Sequence, residues 1–256
     1  MSTKDHQSEP IESASETLQR IFDGHGSVLG SQMADESSRY DVLKKTDFPK
    51  PQRTRRIAVA NQKGGVGKTT STVNTAAALA NKGAQVLVID MDPQGNASTA
   101  LGVSHASGEP SVYDVIEGRS DLGDVITVCP DFPTLDVVPA SIDLSGAELE
   151  VADLPNRNTL LKEALDLYLR QSDKHYDYVF IDCPPSLGLL VINAMCAVTE
   201  MLIPIQAEYY ALEGLGQLIN TIGLVQEHFN PVLLVSTMLV TMFDRRTLLS
   251  REVYNE

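Results

Sequence analysis

Residues 61–70, Asn-Gln-Lys-Gly-Gly-Val-Gly-Lys-Thr-Thr, combine three glycines with two lysines and two threonines. Glycines let successive backbone N–H groups turn toward an anion, and a helix that begins directly after such a loop adds partial positive charge. In this arrangement Lys68 would reach the β and γ phosphates of a nucleotide, and Thr69 would place its hydroxyl on Mg²⁺. The predicted phosphate-binding residues are Gly64, Gly65, Val66, Gly67, Lys68, Thr69 and Thr70.

Three aspartates stand at the ends of apolar segments elsewhere in the chain. Asp90 and Asp92 follow Val86–Ile89, and Asp182 follows Tyr178–Ile181. Alternation along a strand puts Asp90 and Asp92 on one side, and open parallel sheets bind ligands beyond the carboxyl ends of their strands. An isolated Asp-x-Asp is more often a solvated turn. The phosphate loop in the same chain reverses that preference and favours an acidic site beside the phosphates.

The elements that must position these residues alternate between strand and helix. Parallel strands buried on both faces are apolar throughout, and several β-branched runs of this chain have that character. The predicted strands are 57–60, 86–89, 135–138, 178–181, 201–205 and 232–240. Apolar residues at helical spacing predict helices around 73–80, 161–168 and 212–222. The pattern predicts an α/β fold, a mostly parallel twisted sheet flanked by helices, with a strand before the glycine loop and a helix after it.

Composition limits the classes of protein to which the chain can belong. The 20 basic and 34 acidic residues give a net charge of -14, the wrong sign for nucleic-acid binding over the whole surface. Any contact with DNA must therefore be local. Cys129, Cys183 and Cys196 form no Cys-x-x-Cys pair, which argues against a structural zinc site and favours a reducing, cytoplasmic environment. No apolar run approaches the roughly 20 residues of a membrane-spanning helix, and no signal peptide is recognisable.

The first 50 residues differ from the rest of the chain. They are rich in polar residues and carry 6 basic and 9 acidic side chains, which predicts a mostly disordered tail before a single domain over 51–256. Within the tail, apolar residues between Ile11 and Phe22 recur at helical spacing, so one short amphipathic helix is possible. Such a helix could form only transiently without a partner, or it could dock on a partner such as a scaffold protein at the cell pole.

The loop departs from the ordinary Gly-x-x-x-x-Gly-Lys-Thr form, because Gln62 occupies the first glycine position and Lys63 precedes the glycine pair. Lys-Gly-Gly-x-Gly-Lys-Thr resembles the deviant Walker A loop of the ParA/MinD family, P-loop NTPases of the SIMIBI type. The resemblance implies ATP and Mg²⁺ as ligands and a homodimer with ATP, in which Lys63 crosses to the partner's phosphates. It also implies catalytic roles for Lys63, Lys68 and Asp92 in an ATPase that is weak alone and stimulated by a partner.

The same resemblance assigns roles to the acidic residues. Asp92 would position or activate the attacking water, and Asp90 would support Mg²⁺ through a water molecule. Asp182 ends a segment that resembles a Walker B strand, whose aspartate orients the metal and its waters. The implied metal residues are Thr69, Asp90 and Asp182.

Three further segments, 92–99, 206–214 and 241–247, look like the chromosomal, Soj-type branch of the family, and the likeness is nearly continuous from Arg56 to Glu256. This branch implies origin segregation on the nucleoid with a ParB-type centromere-binding protein. It also implies non-specific binding of duplex DNA through Arg246, with Arg245 beside it, although idle surface arginines would look the same. The family continues beyond the point at which this sequence stops, so we expect part of the adenine pocket to lie outside it.

Two other functions remain open at this point. A MinD-like ATPase would act at a membrane surface, and a scaffold would dock a partner through its tail with a vestigial ATPase. A MinD-like ATPase should sediment with lipid vesicles, whereas a partitioning ATPase should be retained on DNA. A complete absence of ATP turnover with partner, DNA and Mg²⁺ present would favour the second.

Overall fold

The computed structural model describes residues 28–46, 48–208, 211–244 and 246. The chain divides into two units, Met1–Pro49 and Lys50–Glu256, and each is described by itself. The described helices are α1 Val28–Lys45, α2 Lys68–Asn81, α3 Asn96–Ala100, α4 Val112–Ile116, α5 Leu122–Val125, α6 Leu144–Glu150, α7 Leu160–Gln171, α8 Leu189–Ala197 and α9 Ala211–His228. The strands are β1 Arg55–Val59, β2 Val86–Asp90, β3 Thr127–Val128, β4 Leu135–Val138, β5 Tyr178–Asp182, β6 Glu200–Gln206 and β7 Leu234–Thr241.

The first unit contains one described helix, α1, in a region for which the sequence predicts disorder. The sequence predicts a mostly disordered tail over residues 1–50 and does not predict this helix, which lies after the segment where a short amphipathic helix is expected. Apolar and charged residues are interspersed along α1, so it has no apolar stripe that periodicity could detect, but it contains no proline and ends with Lys44 and Lys45, which favour a helix C-terminus. The amphipathic segment between Ile11 and Phe22 lies outside the described residues.

The second unit is built on a seven-stranded sheet in the order β3-β4-β2-β5-β1-β6-β7. All neighbouring strands are parallel except β3 and β4, which run antiparallel. The predicted α/β class and mostly parallel sheet are confirmed. The order brings the carboxyl ends of β2, β5 and β1 together, and Asp90 and Asp182 are direct partners in the β2–β5 register.

Side chains of the central strands alternate between two hydrophobic cores, one on each face of the sheet. In β2, Leu87 and Ile89 belong to the core that includes α7 and α8, whereas Val86 and Val88 belong to the core that includes α2. Every residue of β2 is buried, as expected for a central parallel strand covered on both faces. This rigid platform fixes the strand ends from which the candidate site is built.

The sequence did not predict five short helices or the two-residue strand β3. These helices, α3 to α6 and α8, have between four and nine residues each. Most of them are one or two turns long, too short for a 3.6-residue period to be recognised. Predicted strand limits agree with the structure to within two residues, and the last strand begins later than predicted because residues 230–233 form a turn. Among the described residues, no helix combines the length and apolar character required to cross a membrane.

Candidate nucleotide-binding site

The glycine loop connects β1 to α2 and is held in place by Asn61. The buried Asn61 side chain donates Nδ2 to the Pro204 carbonyl at 2.7 Å and accepts the Lys63 N–H at Oδ1 at 3.0 Å. Gly65 and Gly67 have positive φ values of 75° and 92°, a conformation that side chains with a Cβ adopt at a cost. The glycines therefore permit a backbone conformation that would be strained with most other residues at these positions.

Lys68 begins α2 and is 7% exposed. Its Nζ donates to the Lys63 carbonyl at 3.0 Å, so the ammonium lies inside the curve of the loop. Burial lowers the pKa of Lys68, and the nearby carboxylate of Asp182 opposes that change. An ammonium group held in this way has unused donors, and phosphate oxygens would supply acceptors for them.

Asp182 ends β5 and is fully buried beneath the loop. Its carboxylate accepts the Thr69 hydroxyl at 2.7 Å and the Thr72 hydroxyl at 2.9 Å. Burial, together with the negative charges of Asp90 and Asp92, raises the pKa of Asp182 to about 7, although the hydrogen bonds from Thr69 and Thr72 oppose the change. The structure thus brings Thr69 together with the predicted Walker B aspartate in an environment that favours a compensating cation.

Asp90 and Asp92 play different parts in the segment that follows β2. Asp90 is fully buried, and its two oxygens accept N–H groups from Asp92 at 3.2 Å and Ser98 at 2.8 Å, together with the Ser98 hydroxyl at 2.7 Å. Desolvation raises the pKa of Asp90. Asp92 lines the cleft and uses Oδ1 to accept the Gln94 N–H at 3.0 Å. Asp90 therefore shapes the turn that presents Asp92.

An open cleft of about 350 Å³ lies along the loop. Its lining residues are Gly64, Gly65, Gly67, Lys68, Thr69, Thr70, Asp92, Gln94, Asn96, Pro185 and Met242. Met242 was not predicted as a site residue, and it has a positive φ of 54°, which is uncommon for a residue with a side chain. A methionine after a strand carries no sequence signal for such a role. Its position is reinforced by Thr241, whose hydroxyl donates to the Val66 carbonyl at 2.8 Å.

Lys63 lies apart from Lys68. Its side chain is 35% exposed and its Nζ donates to Glu208 Oε2 at 2.7 Å, and Lys63 is absent from the lining of the cleft. Glu208 also accepts the Gln206 side-chain amide at Oε1. The two lysines of the loop are thus directed differently, one into the cleft of its own chain and the other along the rim.

Of the two predicted DNA-binding arginines, Arg246 is described and Arg245 lies outside the described residues. The Arg246 side chain is 89% exposed and forms a two-pronged ion pair with Asp244, from Nε at 3.0 Å and Nη2 at 2.9 Å. This pair lowers the pKa of Asp244 to about 2. A DNA phosphate at Arg246 would therefore compete with Asp244.

The residues present fit magnesium. Thr69 and Asp182 supply a hydroxyl and a carboxylate in contact with each other, which are the hard oxygen donors that Mg²⁺ prefers. Within the described ranges, no group of three or more His, Cys, Asp or Glu side chains is arranged to hold a metal. Magnesium would thus take its remaining ligands from phosphate and water, as it usually does beside nucleotides. When bound, it would neutralise phosphate charge.

Comparison with known proteins identifies the family. Residues 54–235 match the model of a family described as AAA domain. The chain is 50% identical over 200 residues to the sporulation initiation inhibitor protein Soj of Bacillus subtilis, with 78% of this chain and 77% of that protein covered. It is 46% identical to the chromosome partitioning protein ParA of Caulobacter vibrioides, with 77% and 73% covered. The chain belongs to the ParA/Soj family of chromosome-partitioning ATPases.

A solved structure supports the nucleotide assignment of this ParA/Soj family member. It is the cobyrinic acid a,c-diamide synthase from Mycobacterium smegmatis with bound ATP analog and magnesium, at 40% identity and a TM-score of 0.72, covering 79% of this chain and 78% of that one. The chain is accordingly an ATP hydrolase that uses ATP and Mg²⁺.

Proposed function

We propose that the chain is an ATP-dependent dimerisation switch that partitions chromosomes. In the ATP state two copies would pair, bind duplex DNA without sequence preference and remain on the nucleoid in the cytoplasm. A ParB-type centromere-binding protein would stimulate hydrolysis and return the protein to separate subunits. The family membership and the nucleotide site support the ATPase part of this proposal, and the exposed Lys63 of the loop supports the pairing of two subunits.

The observation that carries the proposal is the division of labour between the two lysines. Lys68 lies inside the loop, with Nζ 3.0 Å from the Lys63 carbonyl, and is placed to bind phosphate within one subunit. Lys63 lies at the edge of the cleft, where its Nζ forms an exposed ion pair with Glu208. Exposed ion pairs stabilise by about 0 to 1 kcal/mol, so the triphosphate of a second subunit could compete for Lys63.

Hydrolysis would combine positioning with charge neutralisation. Asp92, on the turn shaped by Asp90, would position the attacking water beside the γ-phosphate. Thr69 and Asp182 would hold Mg²⁺ directly or through its waters. Lys63 from the partner would neutralise charge that develops in the transition state. A cation supplied in trans to phosphoryl transfer accelerates the reaction by about 10³ to 10⁵ where it has been measured.

DNA binding would be confined to a small basic area, because the chain carries a net charge of -14. Arg246 is the described residue best suited to it, since its side chain is 89% exposed. Arg245 would add a second contact. Pairing of two subunits would double these contacts, which explains how a weak local site could become effective only in the ATP dimer.

Light scattering of the chain with ADP, ATP and a non-hydrolysable ATP analogue tests the proposal, with and without duplex DNA. We expect a monomer with ADP and a dimer with the analogue. Retention on DNA should require the analogue, and sedimentation with anionic vesicles should not increase. A monomer in every nucleotide state would refute the switch, and vesicle binding without DNA retention would favour a membrane-surface function.

Gly64→Val sharpens that experiment. A Cβ at Gly64 would meet no atom within 4 Å in the single subunit, and Gly64 lacks the positive φ of Gly65 and Gly67. The variant should therefore fold and bind ATP but fail to dimerise, because the added side chain would stand at the face where the phosphate sites meet. Gly64→Ala is the matched control with a smaller side chain, and it should weaken the dimer less. Normal dimerisation of Gly64→Val would contradict this geometry.

A further inference from the structure

His105 contacts the segment that carries Asp92, although it lies 13 positions later in the sequence. It follows α3 in an exposed loop and is itself half-buried. Its Nε2 lies 2.8 Å from the Thr99 hydroxyl in α3. Its ring also covers Gly95, where an added Cβ would overlap the ring atoms Nδ1, Cε1 and Cγ. Two positions of the segment are therefore in contact with one imidazole ring.

Gly95 belongs to the turn that presents Asp92 to the cleft. The Gly95 N–H donates to the Asp92 carbonyl at 2.9 Å, and Gly95 has a positive φ of 63°. The adjoining Gln94 N–H donates to Asp92 Oδ1 at 3.0 Å. The His105 ring packs against this turn at Gly95, on the same turn that holds the Asp92 carboxylate.

The loop that carries His105 is itself fixed at both ends. The buried Val103 donates its N–H to the Ser98 carbonyl at 3.0 Å. Farther along, the Ser107 hydroxyl lies 3.0 and 3.1 Å from the two oxygens of Asp143, the residue before α6. The Asp143 carboxylate also accepts the Ser141 hydroxyl at 2.8 Å. His105 is therefore attached to a braced loop, which a positioning role requires.

We propose that His105 is a positioning residue for ATP hydrolysis, acting through the packing of its ring on Gly95 to hold Asp92 in its working orientation. The inference rests on the proposed role of Asp92. His105 does not line the cleft, so it would influence the rate of the chemical step without contacting ATP. A small displacement of a positioning group reduces the rate much more than it reduces substrate binding.

Steady-state hydrolysis of Mg²⁺-ATP in the presence of duplex DNA tests this role. His105→Ala should lower kcat about tenfold while KM changes less than twofold. The thermal unfolding midpoint and the dimer formed with a non-hydrolysable analogue should match those of the unchanged protein. His175→Ala is the matched control, because His175 is exposed in the loop before β5, and it should leave kcat unchanged.

Two conservative variants separate positioning from general loss of structure. His105→Phe keeps a ring over Gly95 and should recover most of kcat, whereas His105→Gln keeps a hydrogen-bonding group but not the ring and should resemble His105→Ala. A kcat for His105→Ala within twofold of the unchanged protein would overturn the inference, as would equal losses in the Phe and Ala variants. If Asp92→Ala also hydrolyses ATP normally, the proposed role of Asp92 fails as well. If Asp92→Ala loses turnover while His105→Ala keeps it, only the role of His105 is refuted.

Discussion

Asp182→Asn should stabilise the nucleotide-free protein and weaken its response to Mg²⁺-ATP. The carboxyl group is fully buried next to Asp90 and Asp92, and burial raises its pKa from 3.8 to about 7. Three pKa units correspond to about 4 kcal/mol of unfavourable interaction in the ionised form. Replacing one of its two hydroxyl hydrogen bonds by a poorer contact costs about 1 kcal/mol. We therefore expect the free energy of unfolding to rise by about 3 kcal/mol at pH 8 in EDTA.

The pH dependence follows from the same shift. Between pH 3.8 and about 7 the folded protein holds a proton on Asp182 that the unfolded chain has already released. This group therefore makes the free energy of unfolding fall as the pH rises through that range. The variant lacks this contribution, so it should be about 1 kcal/mol less stable than the unchanged protein near pH 4, and its advantage of about 3 kcal/mol should be complete above pH 7. Urea unfolding of both proteins at several pH values in EDTA measures this difference in the free energy of unfolding.

With Mg²⁺-ATP bound, the unchanged protein should become more stable to heat than Asp182→Asn. The cation compensates the Asp182 charge in the unchanged protein, so Mg²⁺-ATP should raise its thermal midpoint more than that of Asp182→Asn. Asp136→Asn is a control of opposite sign, because the buried Asp136 is already compensated by Lys174, with Nζ 2.5 Å away, and its loss should destabilise the protein. An Asp182→Asn variant less stable than the unchanged protein at pH 8 in EDTA would refute the reasoning.

Three further substitutions test other parts of the site. Lys68→Ala removes the ammonium inside the loop and should weaken ATP binding by about tenfold to a hundredfold in equilibrium titrations; affinity within a few-fold of the unchanged protein would count against the loop assignment. Asp92→Ala should retain ATP and form a dimer that stays on DNA, and rapid phosphate release would remove Asp92 from its role. Arg246→Glu should weaken retention on all duplex sequences alike and flatten its salt dependence, whereas Arg170→Glu, an exposed arginine on α7, should not.

The fold could be predicted because its central strands are short, β-branched and bounded by turns. The segment 135–138 was placed as it stands in the structure, and the other strands shifted by only one or two residues. The helix α1 was missed because its apolar residues do not repeat on one face, so nothing distinguishes it from a polar tail. The antiparallel strand β3 has only two residues, and its pairing with β4 is a tertiary event.

The site could be predicted where chemistry is concentrated in a motif. The glycine loop, Thr69 and Asp182 converge as expected because the strands that carry them are neighbours in the sheet. Side-chain contacts that depend on tertiary structure could not be predicted from the sequence. The ring of His105 over Gly95 and the pairing of Lys63 with Glu208 join positions 10 and 145 residues apart, and no local pattern marks them.

The central claim is that Lys63 of one subunit acts on the ATP of the other, and mixing two inactive variants tests it most directly. Lys63→Ala and Asp92→Ala should each lack turnover alone. In a mixed dimer, the site on the Lys63→Ala subunit has its own Asp92 and receives Lys63 from its partner. A 1:1 mixture should therefore recover about a quarter of the activity of the unchanged protein, since half of the dimers are mixed and each has one complete site. A mixture as inactive as its components would contradict the account.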